Sequence, residues 1–129
     1  MKDLYHGLNS VQAIAPGVAS AAANGAAIDL IDHDAALFVI NTGAIAGSGD
    51  FGIKLQESST TTDADFTDVA AADRIGPLPS TLGANTTYKL AYIGSKRKRY
   101  VRLALTKAGG TSVAVGAVAV LGVPRIVTP

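Results

Sequence analysis

The chain has 129 residues and a formal net charge of +1, with 48% hydrophobic residues, 16% charged residues and no cysteine or tryptophan. That length suits one domain with one sizeable core. The lack of cysteine excludes disulfides, thiolate metal centres and thiol nucleophiles, and the most apolar run, residues 113–123, is too short for a membrane-spanning helix.

Residues 1–25 read as an extended N-terminal arm. Met1 to His6 carry no secretory signal pattern. Val11, Gln12, Ala13 and Ile14 form a short strand, Pro16-Gly17 breaks it, and an Ala/Ser/Asn stretch follows with no amphipathic pattern. The body, residues 26–129, reads as a string of strands. Residues 26–34 alternate, with Asp32-His33-Asp34 as their turn. Residues 36–42 are a strongly apolar strand, and residues 43–49 a flexible turn. Residues 51–58 alternate cleanly, which puts Phe51, Ile53 and Leu55 inward. A polar Thr/Asp loop leads to a short strand at 66–69, and Pro77 and Pro79 bracket a connector that is excluded from central sheet.

Residues 86–93 form a strand with Tyr88, Leu90 and Tyr92 on one side, and 94–98 a turn. In the next strand Val101, Leu103 and Leu105 share one face, while Tyr100, Arg102 and Thr106 share the wet one. Residues 112–121 are small or branched on both faces and read as a strand buried on both sides. Ala108-Gly109-Gly110 between these last two strands reads as a hairpin loop. About eight short strands without a convincing helix predict an all-β fold: an antiparallel β-sandwich, jelly-roll-like, with an extended arm.

Charge and polarity are unevenly spread. Residues 1–64 hold two lysines against seven acidic residues, a balance of −5, and residues 65–129 hold nine basic against three acidic, a balance of +6. Such asymmetry guides docking between copies or onto a partner. The low charge and Ala/Val-rich composition predict an exterior that another subunit covers.

No segment carries a catalytic constellation. Gly47-Ser48-Gly49-Asp50-Phe51-Gly52 matches G-x-G-x-x-G, but a strand pattern follows where a phosphate-binding helix is required. Asp29, Asp32, His33 and Asp34 offer cation ligands by type, yet alternation sends Asp29 and Asp32 to opposite faces. Asp63, Asp65 and Asp68 with His6 and His33 match no hydrolase order. The expectation is therefore no catalytic, cofactor or metal residues and no enzyme. The run Lys96-Arg97-Lys98-Arg99, with Arg102, Lys107 and nearby Tyr88, Tyr92 and Tyr100, could serve phosphates and stacked bases. The near-neutral total argues against nucleic acid and favours a protein partner or a solvated turn.

Several of these patterns resemble a known family. Phe51-Gly52-Ile53-Lys54-Leu55-Gln56-Glu57-Ser58 followed by a Thr/Asp loop and Asp65-Phe66-Thr67-Asp68-Val69 resembles small virion proteins of tailed bacteriophages, of the head decoration or capsid cement type. So do the Tyr92-Ile93-Gly94 turn, Arg99-Tyr100-Val101-Arg102, the closing strand ending Gly122-Val123-Pro124-Arg125, and the opening Gln12 and Ile14 before Ile28-Asp29-Leu30. The resemblance covers residues 11–125. It implies a virion protein on the capsid surface, assembled in the host cytoplasm, that bridges major capsid subunits as a dimer or trimer without cofactor or membrane. Contact residues expected here are Val11, Gln12, Ile14 and Val18 of the arm and Lys96, Arg97, Lys98 and Arg99 of the basic turn. A tail or head–tail component, and a β-sandwich binding module for nucleic acid or sugar, are the alternatives.

Overall fold

The computed structural model describes residues 8–30, 33–93 and 98–124. Ten strands follow in chain order: β1 (Asn9–Ala19), β2 (Ala23–Asn24), β3 (Ile28–Asp29), β4 (His33–Ala46), β5 (Asp50–Ser58), β6 (Thr67–Asp68), β7 (Arg74–Ile75), β8 (Thr87–Tyr92), β9 (Tyr100–Gly109) and β10 (Ser112–Pro124). Single 3₁₀ turns occupy Asp63–Asp65 and Ala71–Asp73, and no α-helix occurs among the described residues.

All strand pairs among the described residues are antiparallel and make two sheets. The first has the order β1-β10-β4-β8-β7; the second has β2-β9-β5-β6, with β3 also paired to β9. Taking β2 and β3 as one interrupted strand and β7 as an added edge, the orders reduce to 1-8-3-6 and 2-7-4-5. The chain thus winds between two four-stranded sheets as a jelly roll. The all-β sandwich expected from the sequence is the fold observed.

The longest pairing joins β4 to β10, from Ala46↔Ser112 to His33↔Pro124. Its inward residues are matched small to large, Ala119 beside Phe38 and Ala117 beside Ile40. They meet Phe51, Ile53 and Leu55 of β5 and Val101, Leu103 and Leu105 of β9 in one buried cluster. With no tryptophan, close packing rests on this alternation of size.

Both crossings from one sheet to the other at one end use glycine corners. The turn β4–β5 contains Gly47 (φ +58) and Ser48 (φ +56); the turn β9–β10 contains Gly110 (φ +77). The corners touch: a Cβ on Gly110 would fall on the Ser48 carbonyl, and one on Gly47 on the Thr111 side chain. The second corner corrects the hairpin expected at Ala108-Gly109-Gly110. Strands β9 and β10 lie in opposite sheets because β5 and β4 take their ladders.

Other expectations shift in detail. Pro16-Gly17 does not end its strand: β1 runs on to Ala19 with register shifts after Gln12 and Ile14. At a sheet edge proline forfeits no ladder bond. Residues 9–19, expected in the arm, therefore pair along β10, and the Ala26 N–H donates to the Ala13 carbonyl at 2.9 Å on the other side of β1. β4 reaches Ala46, so the turn expected from residue 43 starts at 47. His33 opens β4 rather than lying in a turn, and Asp32 lies outside the described residues. Strands β2 and β7 have two residues each, too few for a periodic signal. In β10 only one face is core: Val113, Val115, Ala117, Ala119 and Leu121 are buried, while Val118 is 43% exposed.

Gly110→Ala is expected to destabilise the protein by about 1–3 kcal/mol, from the left-handed backbone and the clash with Ser48. Urea unfolding of the variant against the wild type checks this, and a loss below about 0.5 kcal/mol would show that the corners do not interlock.

Candidate interaction surface

The two outer faces of the sandwich differ in chemistry. On the second sheet, outward Gln56 and Arg102 lie beneath the loop between β5 and β6. Arg102 Nε donates to Gln56 Oε1 at 2.9 Å, and Nη1 donates to Asp63 Oδ1. The guanidinium sits 4.1 Å from the Phe66 ring centroid. Arg102 is only 8% exposed although its strand position points outward. Asn24 Nδ2 donates to Asp63 Oδ1 at 2.9 Å, Gln56 Nε2 donates to Asp68 Oδ1 at 3.2 Å, and Thr60 Oγ1 donates to Asp65 Oδ2 at 2.7 Å. This face is finished by its own polar network.

The first sheet has no such cover among the described residues. Register places Gln12, Val118, Val39 and Lys89 in one outward row, and Ser10, Val120, Leu37 and Ala91 in the next. Gly116 and Ala114 continue the outward side of β10, and Ile75 of β7 lies beside Ala91. Lys89 is the one charged group on these rows among the described residues. A hollow of about 500 Å³ opens on this face, lined by Gln12, Pro16, Val39, Asn41, Gly116 and Val118. A second, of about 360 Å³, opens at the sandwich edge between β1 and the β2 segment, against Ala13, Ile14, Ala19 and Leu105. Strand β1 thus has unfilled space on both sides.

The expected contact residues of the arm divide on this strand. Gln12 and Val18 are exposed, Val18 at 74%, whereas Val11 and Ile14 pack against the core cluster. In the basic turn, Lys96 and Arg97 lie outside the described residues, and Lys98 is exposed. Arg99 makes a two-pronged pair with Asp29, Nε to Oδ1 at 3.0 Å and Nη2 to Oδ2 at 2.9 Å.

The backbone at Lys98 is anchored by a buried phenol. Tyr92 Oη donates to Glu57 Oε1 at 2.7 Å and accepts the Lys98 N–H at 2.9 Å. Burial, then the bond and charge of Glu57, push the Tyr92 phenol well above its ordinary range, so it stays protonated and donating. Tyr88 Oη accepts the Gly83 N–H at 2.7 Å, and Tyr100 lies on the other sheet beside Arg99. The three tyrosines therefore form no shared stacking platform.

The remaining candidates for chemistry are spread apart or already occupied. Asp29 is held by Arg99, Asp63 by Arg102, and Lys107 Nζ donates to the Ser20 carbonyl at 2.9 Å. No group of three potential metal ligands occurs among the described residues. His6 and Asp32 lie outside them. The glycine motif at 47–52 forms a sheet-to-sheet corner and the first residues of β5, with no helix to receive a phosphate.

No family model matches the sequence, and no curated protein matches it. Among solved structures, the fold is similar to the SPBc2 prophage-derived protein YomS, at 18% identity and TM-score 0.51, covering 88% of this chain and 92% of that one. Weaker likenesses are to PirA, at 13% identity and TM-score 0.42 over 95% and 98% of the two chains, and to a chain of infectious bursal disease virus Gt strain, at 13% identity and TM-score 0.41 over 94% and 36%. The first of these agrees with the sandwich fold.

Tyr92→Phe is expected to cost about 1–3 kcal/mol, because the Lys98 amide and Glu57 lose their shared partner. Amide exchange at Lys98 should speed up while exchange in β4 stays slow. Unchanged exchange at Lys98 would show that the phenol does not hold this backbone.

Proposed function

We propose that this chain is a structural virion protein of a tailed bacteriophage: a decoration or cement subunit that binds the assembled shell and bridges major capsid subunits. The observation that carries the reading is the contrast between the two outer faces. One is sealed by its own loop, whereas the other is an uncovered apolar sheet with a single lysine among the described residues. A protein built this way acts through surfaces, and large exposed apolar faces mark contacts with other proteins. The sequence resemblance to head decoration proteins supports the same role. So does the fold, since jelly rolls recur in viral capsid proteins. The likeness to a prophage-derived protein is in keeping with a phage setting.

In this reading the shell contact combines the exposed Val18 of β1 with the basic residues Lys96, Arg97 and Lys98. Arg99, next along the chain, is held by Asp29. The core-facing Val11 and Ile14 fix the position of β1. Shell proteins present many identical sites, so even a modest contact gains from repetition when the subunit is itself multivalent.

Purified protein mixed with assembled shells is expected to co-sediment with them and not with free capsid subunits. The triple variant Lys96→Ala/Arg97→Ala/Lys98→Ala is expected to weaken shell binding roughly tenfold at low salt, and less at high salt. Electron microscopy of native particles with a C-terminal label decides the position. Label on the capsid surface at symmetry axes supports decoration, label on the tail moves the role to a tail component, and no particle label overturns the virion role.

A further inference from the structure

We infer that the outer face of the first sheet binds a second copy of this chain, β10 and β4 of each protomer packing face to face about a two-fold axis. The inference rests on the same uncovered face that supports the proposed function: it gives that face to a second copy and leaves the shell contact to Val18 and the basic residues 96–98, and the test below separates the two.

Size argues for an occupant as large as the face itself. Four strands at about 4.8 Å spacing, over rows of about 3.3 Å per residue, give a patch of roughly 500–600 Å². Two such patches together cover roughly 1,000–1,200 Å², close to the smallest area of a stable protein interface. Nearly the whole face must therefore be used. An added peptide strand is about 5 Å wide and would leave most of it wet, whereas a second copy supplies a sheet of the same size and twist.

Relief points the same way. Along the outward side of β10, residues 114 and 116 are Ala and Gly, whereas 118 and 120 are both Val. The hollow opens beside Gly116, which Pro16 overlies (a Cβ there would lie 3.0 Å from the Pro16 Cβ), and Val118 rises at its other side. A two-fold axis crossing β10 near Ala117 sets the valine end of one copy on the hollow end of its partner, twice over. That is the self-complementarity an isologous contact requires. Sheets stacked this way sit about 10 Å apart at roughly −30°.

Electrostatics permits the contact and disfavours a charged partner. Lys89, two strands from β10, lies near the rim, where its long stem lets the ammonium reach water. A strongly acidic or basic partner would find only that group to read on these rows. The polar outer face of the second sheet, with Arg102 already paired, offers no comparable apolar area among the described residues.

Sedimentation velocity of the full chain tests this directly. The wild type is expected to run at twice the 13.0 kDa chain mass at about 50 μM. Val118→Asp and, separately, Val39→Lys are expected to shift the mass to that of one chain, with melting temperature and β-sheet circular dichroism kept, since both side chains point outward. A monomeric wild type overturns the inference. So does a dimer that survives both substitutions, because its interface then lies elsewhere, and so does a trimer with this face covered. If one variant misfolds, the other decides. A dimer that ignores shells counts against the virion role alone, and a monomer that binds shells counts against this inference alone.

Discussion

The long antiparallel pairing of β4 with β10 is the contact on which the other elements depend. Both strands lie inside the first sheet, so each is paired on two sides, β10 with β1 and β4 with β8. Their inward residues supply the first sheet's half of the core. Their ends lead into the two glycine corners, which pass the chain to β5 and receive it from β9. A one-residue slip of either strand would turn its inward set, such as Phe38 and Ile40 of β4, out to solvent, while Val39 would turn in. The matching of Ala119 to Phe38 and Ala117 to Ile40 would be lost together with the alignment of the corners. Register, core packing and topology are thus one constraint seen at three scales.

The placement of one long loop explains why the two outer faces differ. The residues between β5 and β7 form a long loop, and part of it folds back over the second sheet. There Phe66 and Asp63 close over Arg102. The guanidinium is stacked and hydrogen-bonded, which offsets the cost of removing it from water. Among the described residues the first sheet has no loop of similar length on its outer side, so its outward valines and leucine stay uncovered. An apolar exterior on one face follows from where the chain places its spare length.

Much of this is legible in the sequence. The alternation in 51–58 and 99–107 locates β5 and β9 and assigns their inward residues, because a strand with one wet face carries its own orientation. Residues 36–42 and 112–121 are recognisable as strands, but both their faces are apolar. Such a pattern reads as burial on both sides within the chain, when it equally describes one core face and one face open to a partner. The glycine tips at 47–49 and 108–110 look like hairpin loops because local sequence does not say which sheet the next strand joins. That depends on pairing between residues far apart in the chain. Proline at 16 reads as a break, although at an edge it is compatible with a continuing strand. Alternation places Arg102 on the correct face but hides its burial, since Asp63 and Phe66, which close over it, lie far earlier in the chain.

The outer borders of the two sheets carry a further consequence. Strand β1 carries two register shifts and a proline without an amide, and the Ala26 amide already takes its Ala13 carbonyl. Strands β2, β3, β6 and β7 have two residues each. Among the described residues, no border therefore offers a long, straight ladder of free amides and carbonyls for a neighbouring chain to extend. Along these borders, crowded copies meet through side chains rather than by extending a backbone ladder, which steers dense packing away from runaway fibre growth and toward assemblies that close.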